Sequence, residues 1–155
     1  MAKITGSLLE GKPIIDIAVA DAVPTPSSVS ANPAPLVFPV RHYRALLDTG
    51  ADVTCLCDHV VKEAGLRSYG MMQMRGGNGP SIHITYIVQI GIWCSEMADF
   101  EGDDNETRSL FQLPDPYEAP AIRDNQWFDV IIGTDVLSKC DFHLRPGGAF
   151  TLTLT

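Results

Sequence analysis

Apolar positions along this chain come in short runs bounded by Gly, Pro, Asn and Ser, which is the pattern of strands and turns. β-branched residues dominate residues 3–23, up to Ile14-Ile15-Asp16-Ile17-Ala18-Val19-Ala20, and Gly11-Lys12-Pro13 punctuates them. Two strands joined by a turn are predicted there. Residues 24–35 are rich in Pro, Ser, Asn and Ala without periodicity, so an exposed surface loop is expected. Leu36 to Leu47 returns as a strand entered through Pro39. After Asp48-Thr49-Gly50, Val53-Thr54-Cys55-Leu56 reads as another short strand. Asp58 is then expected to cap a brief helix over residues 60–64, closed by Gly65.

The next block is a hairpin. Met71-Met72-Gln73-Met74-Arg75 leads into Gly76-Gly77-Asn78-Gly79-Pro80, a Gly-rich tip whose Asn-Gly pair is a strong turn sign. On the return, Ile82, Ile84 and Tyr86 alternate with His83, Thr85 and Ile87, a half-buried pattern that continues through Ile90-Gly91-Ile92-Trp93. Residues 94–126 differ. Glu96, Asp99, Glu101, Asp103, Asp104 and Glu106 crowd together, and Pro114, Pro116 and Pro120 are expected to break any regular element. This length reads as an insertion, acidic and Pro-rich. The last block, opening with residues 127–137, holds a fully apolar strand, Gly133, a short helix starting near Asp135, and then two strands, Cys140–Leu144 and Ala149–Leu154, around Pro146-Gly147-Gly148. One all-β domain over residues 1–155 is predicted.

Charge and cysteine usage narrow the partners. A net charge of -8 argues against nucleic acid, which needs clustered Lys and Arg. No signal peptide is visible at Met1-Ala2-Lys3-Ile4, and no apolar run approaches the roughly 20 residues that span a bilayer. A soluble cytoplasmic protein without a membrane partner is therefore expected. Cys55-Leu56-Cys57 has the wrong spacing for structural zinc, and the acids of residues 96–106 lack the layout of a calcium loop. Reduced, mostly buried thiols are expected at Cys55, Cys57, Cys94 and Cys140, with neither metal nor cofactor. His42, His59, His83 and His143 have no nucleophile partner in the sequence, so packing or surface roles are expected.

The candidate chemistry lies in Ala45-Leu46-Leu47-Asp48-Thr49-Gly50-Ala51-Asp52-Val53. An apolar strand ending in Asp-Thr-Gly presents one carboxylate at its tip, and Gly50 permits a tight turn and close approach. The stretch resembles the active-site motif of aspartic peptidases, and Ala51 makes it more similar to the retroviral-type (retropepsin) branch. Two further features follow in the order that family has them, the Gly-tipped hairpin and Ile131-Ile132-Gly133-Thr134-Asp135-Val136-Leu137. The resemblance covers roughly residues 36–155. It implies a closed acid-protease β-barrel with a flap hairpin and one short C-terminal helix.

The implied activity is peptide-bond hydrolysis by general acid and base, with two carboxylates sharing one proton. This chain has only one Asp-Thr-Gly, and the resemblance places Asp135 on the helix beside the site. Asp48 of a second copy must then complete the pair, which implies a C2 homodimer. By the same resemblance Thr49 bonds across the dimer and Gly50 contacts substrate. Ala51 removes a hydroxyl that would favour the charged carboxylate, so activity is expected to be less acid-restricted than in pepsin-like enzymes. Gly76 and Gly77 sit at the flap tip. Ala51, Asp52, Val53, Met74, Ile132 and Val136 are the expected pocket residues, and the substrate is an extended peptide or protein.

Two departures stand out. Viral members follow the second Gly with an Arg that pairs with the Asp matching Asp52; Thr134 stands there, leaving Arg41 or Arg44 as substitutes. The C-terminal strand Phe150–Leu154 is the family's candidate for an intersubunit sheet, and the long N-terminal segment is an addition. The rival reading is a catalytically weak or inactive dimerisation or peptide-binding module of the same fold.

Overall fold

The computed structural model describes residues 1–23, 38–39, 41–95 and 108–155. Over the first half the elements are β1 (Ala2–Ser7), β2 (Ile14–Asp21), β3 (Tyr43–Leu47), β4 (Cys55–Cys57), α1 (Asp58–Glu63), β5 (Ser68–Gly76) and β6 (Gly79–Ser95). The second half adds β7 (Arg108–Gln112), β8 (Tyr117–Ile122), β9 (Val130–Ile132), α2 (Thr134–Leu137), β10 (Cys140–Leu144) and β11 (Ala149–Leu154). The chain is mostly strand. No helix among the described residues is long and apolar enough to cross a membrane.

The strands form two sheets. The smaller has the order β1-β11-β10, all antiparallel. The larger follows β2-β3-β9-β4-β8-β6-β5, with β7 on β6. β2 pairs β3 through Ile14–Ile17 and β6 through Ile17–Asp21. The largest fully buried side chains come from both: Ile17, Leu56, Ile90, Ile92 and Ile132 from the large sheet, Leu152 and Leu154 from the small one. Burying each aliphatic side chain of this size stabilises by about 1.5–3 kcal/mol, so this shared core fastens the two sheets together.

The two N-terminal strands and their turn occur as expected, but they do not pair with each other. Glu10 and Gly11 take φ of 49° and 78°, and Leu9 and Lys12 exchange backbone hydrogen bonds of 2.8 and 3.0 Å. That tight turn carries the chain from one sheet to the other. The strand expected over residues 36–47 begins only at Tyr43, and the strand expected at Val53 begins at Cys55. Helix α1 is present and Gly65 closes it with φ 62°, but Asp58 lies inside its first turn, with Cys57 at the N-cap. Together with α2 near Asp135, the two short helices expected from the sequence are both among the described residues.

Residues 108–126 are more regular than their prolines indicate. β7 pairs β6, and β8 lies between β4 and β6. Buried Leu113, Tyr117 and Ala119 anchor this segment. Pro120 fits within β8 because its β6 partner is Thr85 while the β4 ladder starts only at Ala121, so one flank lacks a strand that needs its N–H. The Pro-rich loop at 24–35 and the acidic run at 96–106 lie outside the described residues.

The β5–β6 hairpin alternates as predicted, with the faces reversed. Ile82 is 73% exposed and Met71 75%, whereas Thr85 is buried. β8 meets β6 only from Thr85 onward, so the hairpin end projects past the sheet and its outer face packs on nothing among the described residues. The C-terminal strand also differs from expectation: β11 already carries β1 on one edge and β10 on the other, leaving it no edge for an intersubunit sheet.

Candidate active site

β3 and β9 run parallel through Ala45–Val130, Leu46–Ile131 and Leu47–Ile132, with Ala45, Leu47, Val130 and Ile132 turned into the core and Leu46 and Ile131 on the opposite, partly exposed face. The register continues one residue past β3, where the Asp48 N–H donates to the Ile132 carbonyl at 3.0 Å. The Leu47 N–H is taken by the Pro13 carbonyl at 3.0 Å, which ties the N-terminal turn to the same strand end. The Asp48 carboxylate is half-buried. Its Oδ1 accepts the Gly50 N–H at 2.8 Å, and its backbone carbonyl accepts Ala51 N–H at 3.2 Å. A Cβ at position 50 would sit 3.1 Å from that Oδ1, so glycine allows the turn to fold onto its own carboxylate.

The segment after this turn is locked to Gly133 and α2. Ala51 O accepts the Thr134 N–H at 2.8 Å, and fully buried Thr54 accepts the Gly133 N–H at 3.2 Å. Thr54 Oγ1 then donates to Asp135 Oδ1 at 2.8 Å, while Thr54 N–H donates to Asp135 Oδ2 at 3.0 Å. Asp135 also accepts the Val136 N–H at 2.9 Å. These bonds occupy both Asp135 oxygens within the chain. Gly133 has no alternative here: an added Cβ would lie 2.6 Å from Val53 C and 2.9 Å from Ala51 O.

Beside the turn opens a cleft of about 400 Å³, bounded by Gly50–Val53 and Cys55 on one side, Met72–Arg75 of the hairpin on the other, and Ile122 and Ile131 behind. Of the residues expected in the pocket, Ala51, Asp52, Val53 and Met74 line this cleft. Ile132 and Val136 do not: both are 1% exposed core residues. Strand alternation turns Ile131 outward instead, so Ile131 and not Ile132 forms the wall of the cleft. Gly76 and Gly77 are exposed at the hairpin end, outside the cleft lining. A larger hollow of about 700 Å³, lined in part by Ile4, Ile15, Trp93 and Phe150, holds none of the motif residues.

Several side chains near the turn lack the partners expected of them. Thr49 is exposed and makes no side-chain hydrogen bond among the described residues. Asp52 is exposed and without an ion pair among them. Arg41 pairs with Glu63 at 2.9 Å, and the Arg44 guanidinium donates to Gln126 O at 3.1 Å, so neither replaces the missing arginine. Thr134 Oγ1 reaches only the Asp52 backbone carbonyl, at 3.4 Å. Burial pushes the Cys55 thiol up to about 12, helped by the negative charge of Asp135, so it is a protonated wall residue and no nucleophile at neutral pH.

The sequence reading missed Thr54, Met72, Ile122 and Ile131. Met72 was discoverable, since it stands two residues from Met74 on the same hairpin face. Thr54 had no signal, because its role depends on Asp135, 81 positions away.

No protein-family model matches the chain, and no curated protein sequence matches it. A solved structure is similar: the crystal structure of a retropepsin-like aspartic protease from Rickettsia conorii, with a TM-score of 0.54 over 99% of this chain and 91% of that one. The two are 10% identical, so the likeness is one of fold.

Proposed function

We propose that this chain is a retropepsin-like aspartic endopeptidase that works as a homodimer, with Asp48 of each subunit forming the acid/base pair. The observation that carries this reading is a single Asp-Thr-Gly turn, hydrogen-bonded to the Ile132–Gly133 strand and set beside a cleft whose far wall is a Gly-tipped hairpin. The strand path, in which β2 meets both β3 and β6, supports reading the large sheet as the closed barrel of that fold.

Two carboxylates brought together on a dimer axis share one proton, because like charges a few ångströms apart resist joint ionisation. The ionised carboxylate takes a proton from water as the water oxygen attacks the peptide carbonyl carbon. The protonated carboxyl group polarises that carbonyl. Collapse of the tetrahedral intermediate breaks the C–N bond, and the leaving nitrogen takes a proton from the pair, which ends with one proton as it began. Thr49, exposed and unpartnered in one subunit, bonds to its counterpart and steadies the two turns. Gly50 through Val53 and Met74 contact an extended peptide. The hairpin with Gly76 and Gly77 at its end acts as the flap that excludes water.

Purified Asp48→Asn protein is the test: it should fold and associate like wild type while losing peptide cleavage. Retained cleavage would refute the mechanism. Failure of a statine-type transition-state mimic to bind an undoubted wild-type dimer would favour the inactive-module reading instead.

A further inference from the structure

Chemistry-bearing side chains that the cleft leaves unused gather at the start of α1. Cys57 ends β4 with a buried thiol, His59 lies in the first turn of α1, and Asp124 follows β8. One ligand atom from each lies within 4.8 Å of the other two.

His59 is held between two carboxylates. Its Nδ1 is 2.7 Å from Asp124 Oδ1 and its Nε2 is 2.9 Å from Asp129 Oδ1. A neutral imidazole has one N–H, so it can donate to only one of them and turns a lone pair on the other. Something positive must therefore stand between His59 and one carboxylate, either a second proton or a metal ion.

Each acid also accepts a backbone N–H, Asp124 Oδ1 from His59 at 3.0 Å, but Asp129 is less exposed and its main chain is tied into the sheet edge as well. Its Oδ2 accepts the Arg44 N–H at 2.7 Å, its own N–H donates to Arg44 O at 2.8 Å, and its carbonyl accepts Cys57 N–H at 2.9 Å. It is placed to keep the proton on Nε2, which leaves the Nδ1 lone pair on the side of Asp124. A carboxylate behind a histidine, fixing its tautomer, is the usual outer support of a metal-bound imidazole. Asn125 Nδ2, 3.5 Å from Cys57 Sγ, offers a hydrogen bond suited to a thiolate.

We propose that Cys57 Sγ, His59 Nδ1 and a carboxylate oxygen of Asp124 bind one zinc-class divalent cation, with water completing the coordination. One sulfur, one nitrogen and one oxygen suit Zn²⁺ or Co²⁺ rather than Ca²⁺ or Mg²⁺. Binding releases the Cys57 thiol proton, which now points to Phe128 O at 3.6 Å, and changes no oxidation state. Asp124 is exposed and has room to adjust onto the ion. The site joins the β8–β9 loop to α1. A search for paired Cys-x-x-Cys spacings passes over it because the carboxylate lies 65 residues beyond the histidine.

The test is Co²⁺ titration of the chelator-treated full chain. One equivalent should bind, give a thiolate-to-cobalt band in the near ultraviolet, and be displaced by Zn²⁺. Cys57→Ser should lose the band. Asp124→Asn, at an exposed position that leaves the fold intact, should weaken Co²⁺ binding by about tenfold or more, and Cys140→Ser should change neither. Absence of the band at stoichiometric Co²⁺, or unaltered affinity in Asp124→Asn, would overturn the proposal and leave a proton alone between His59 and Asp124.

Discussion

Replacing Gly133 with alanine probes the junction that holds Asp48 in place. Its φ of -89° is open to any residue, so the cost of the substitution is one of space rather than backbone conformation. The new Cβ would meet Val53 C at 2.6 Å, Val53 O at 2.7 Å and Ala51 O at 2.9 Å. All three are backbone atoms, which cannot swing aside as a side chain can. Relief to ordinary contact requires the 51–53 segment and β9 to part by about 0.8 Å, well beyond what a packed interior absorbs. Overpacking of this kind costs about 1–3 kcal/mol. The bonds from Thr134 N–H to Ala51 O (2.8 Å) and from Gly133 N–H to Thr54 Oγ1 (3.2 Å) span the same gap. Weakening both adds about 1 kcal/mol each. A loss of about 3–5 kcal/mol corresponds to a fall in Tm of about 10 °C for a chain of this size. Thermal and urea melts of Gly133→Ala should show that loss, with Gly77→Ala as the control, since nothing lies within 4 Å of a Cβ there. A Gly133→Ala protein melting within about 2 °C of wild type would refute the packing argument.

Thr54→Val keeps the volume but strips Asp135 and the Gly133 N–H of a buried partner, and should cost about 2–3 kcal/mol in urea melts; a neutral result would mean that these bonds do not hold the junction. Ala51→Ser restores a hydroxyl that can donate to a charged carboxylate, so the pH–rate profile for peptide cleavage should extend to lower pH, and a shift toward higher pH would contradict the assignment. Burial is the first cause that raises Cys140, Tyr43 and Tyr117 above their ordinary values of 9.0, 10.0 and 10.0. The folded state thus holds these protons more tightly than the unfolded one, so the associated stability is complete below pH 9 and declines as pH rises through the folded values. Urea midpoints should therefore fall on going from neutral pH to above pH 10, and a rise would reverse the sign of the argument.

How far the sequence led depends on what each signal measures. The Cys140–Leu144 and Ala149–Leu154 strands were legible to the residue, because Pro146-Gly147-Gly148 marks the turn between two short β-rich runs. The Asp48 turn, Gly133 and the helix after it were legible because each needs a particular residue type at a particular step. Partnership was not legible. Alternation at Ile82 and Ile84 reports two faces without saying which has something to pack on, and the projecting hairpin leaves the apolar one outside. The choice of Ile132 over Ile131 failed for the same reason, by one step of strand parity. Pro120 misled because a strand tolerates proline wherever one neighbour is missing, and that depends on where β4 ends. The grouping of Cys57, His59 and Asp124 arises only when β8 returns beside β4.

That each active site needs two chains is tested most directly by mixing wild-type and Asp48→Asn protein at constant total concentration, with time allowed for subunit exchange. If each site draws one aspartate from each of two chains, mixed dimers are inactive and activity follows the square of the wild-type fraction. An equal mixture then retains about a quarter of the wild-type rate. Activity in direct proportion to the wild-type fraction, about half at equal mixing, would place a complete site within one chain and contradict the account.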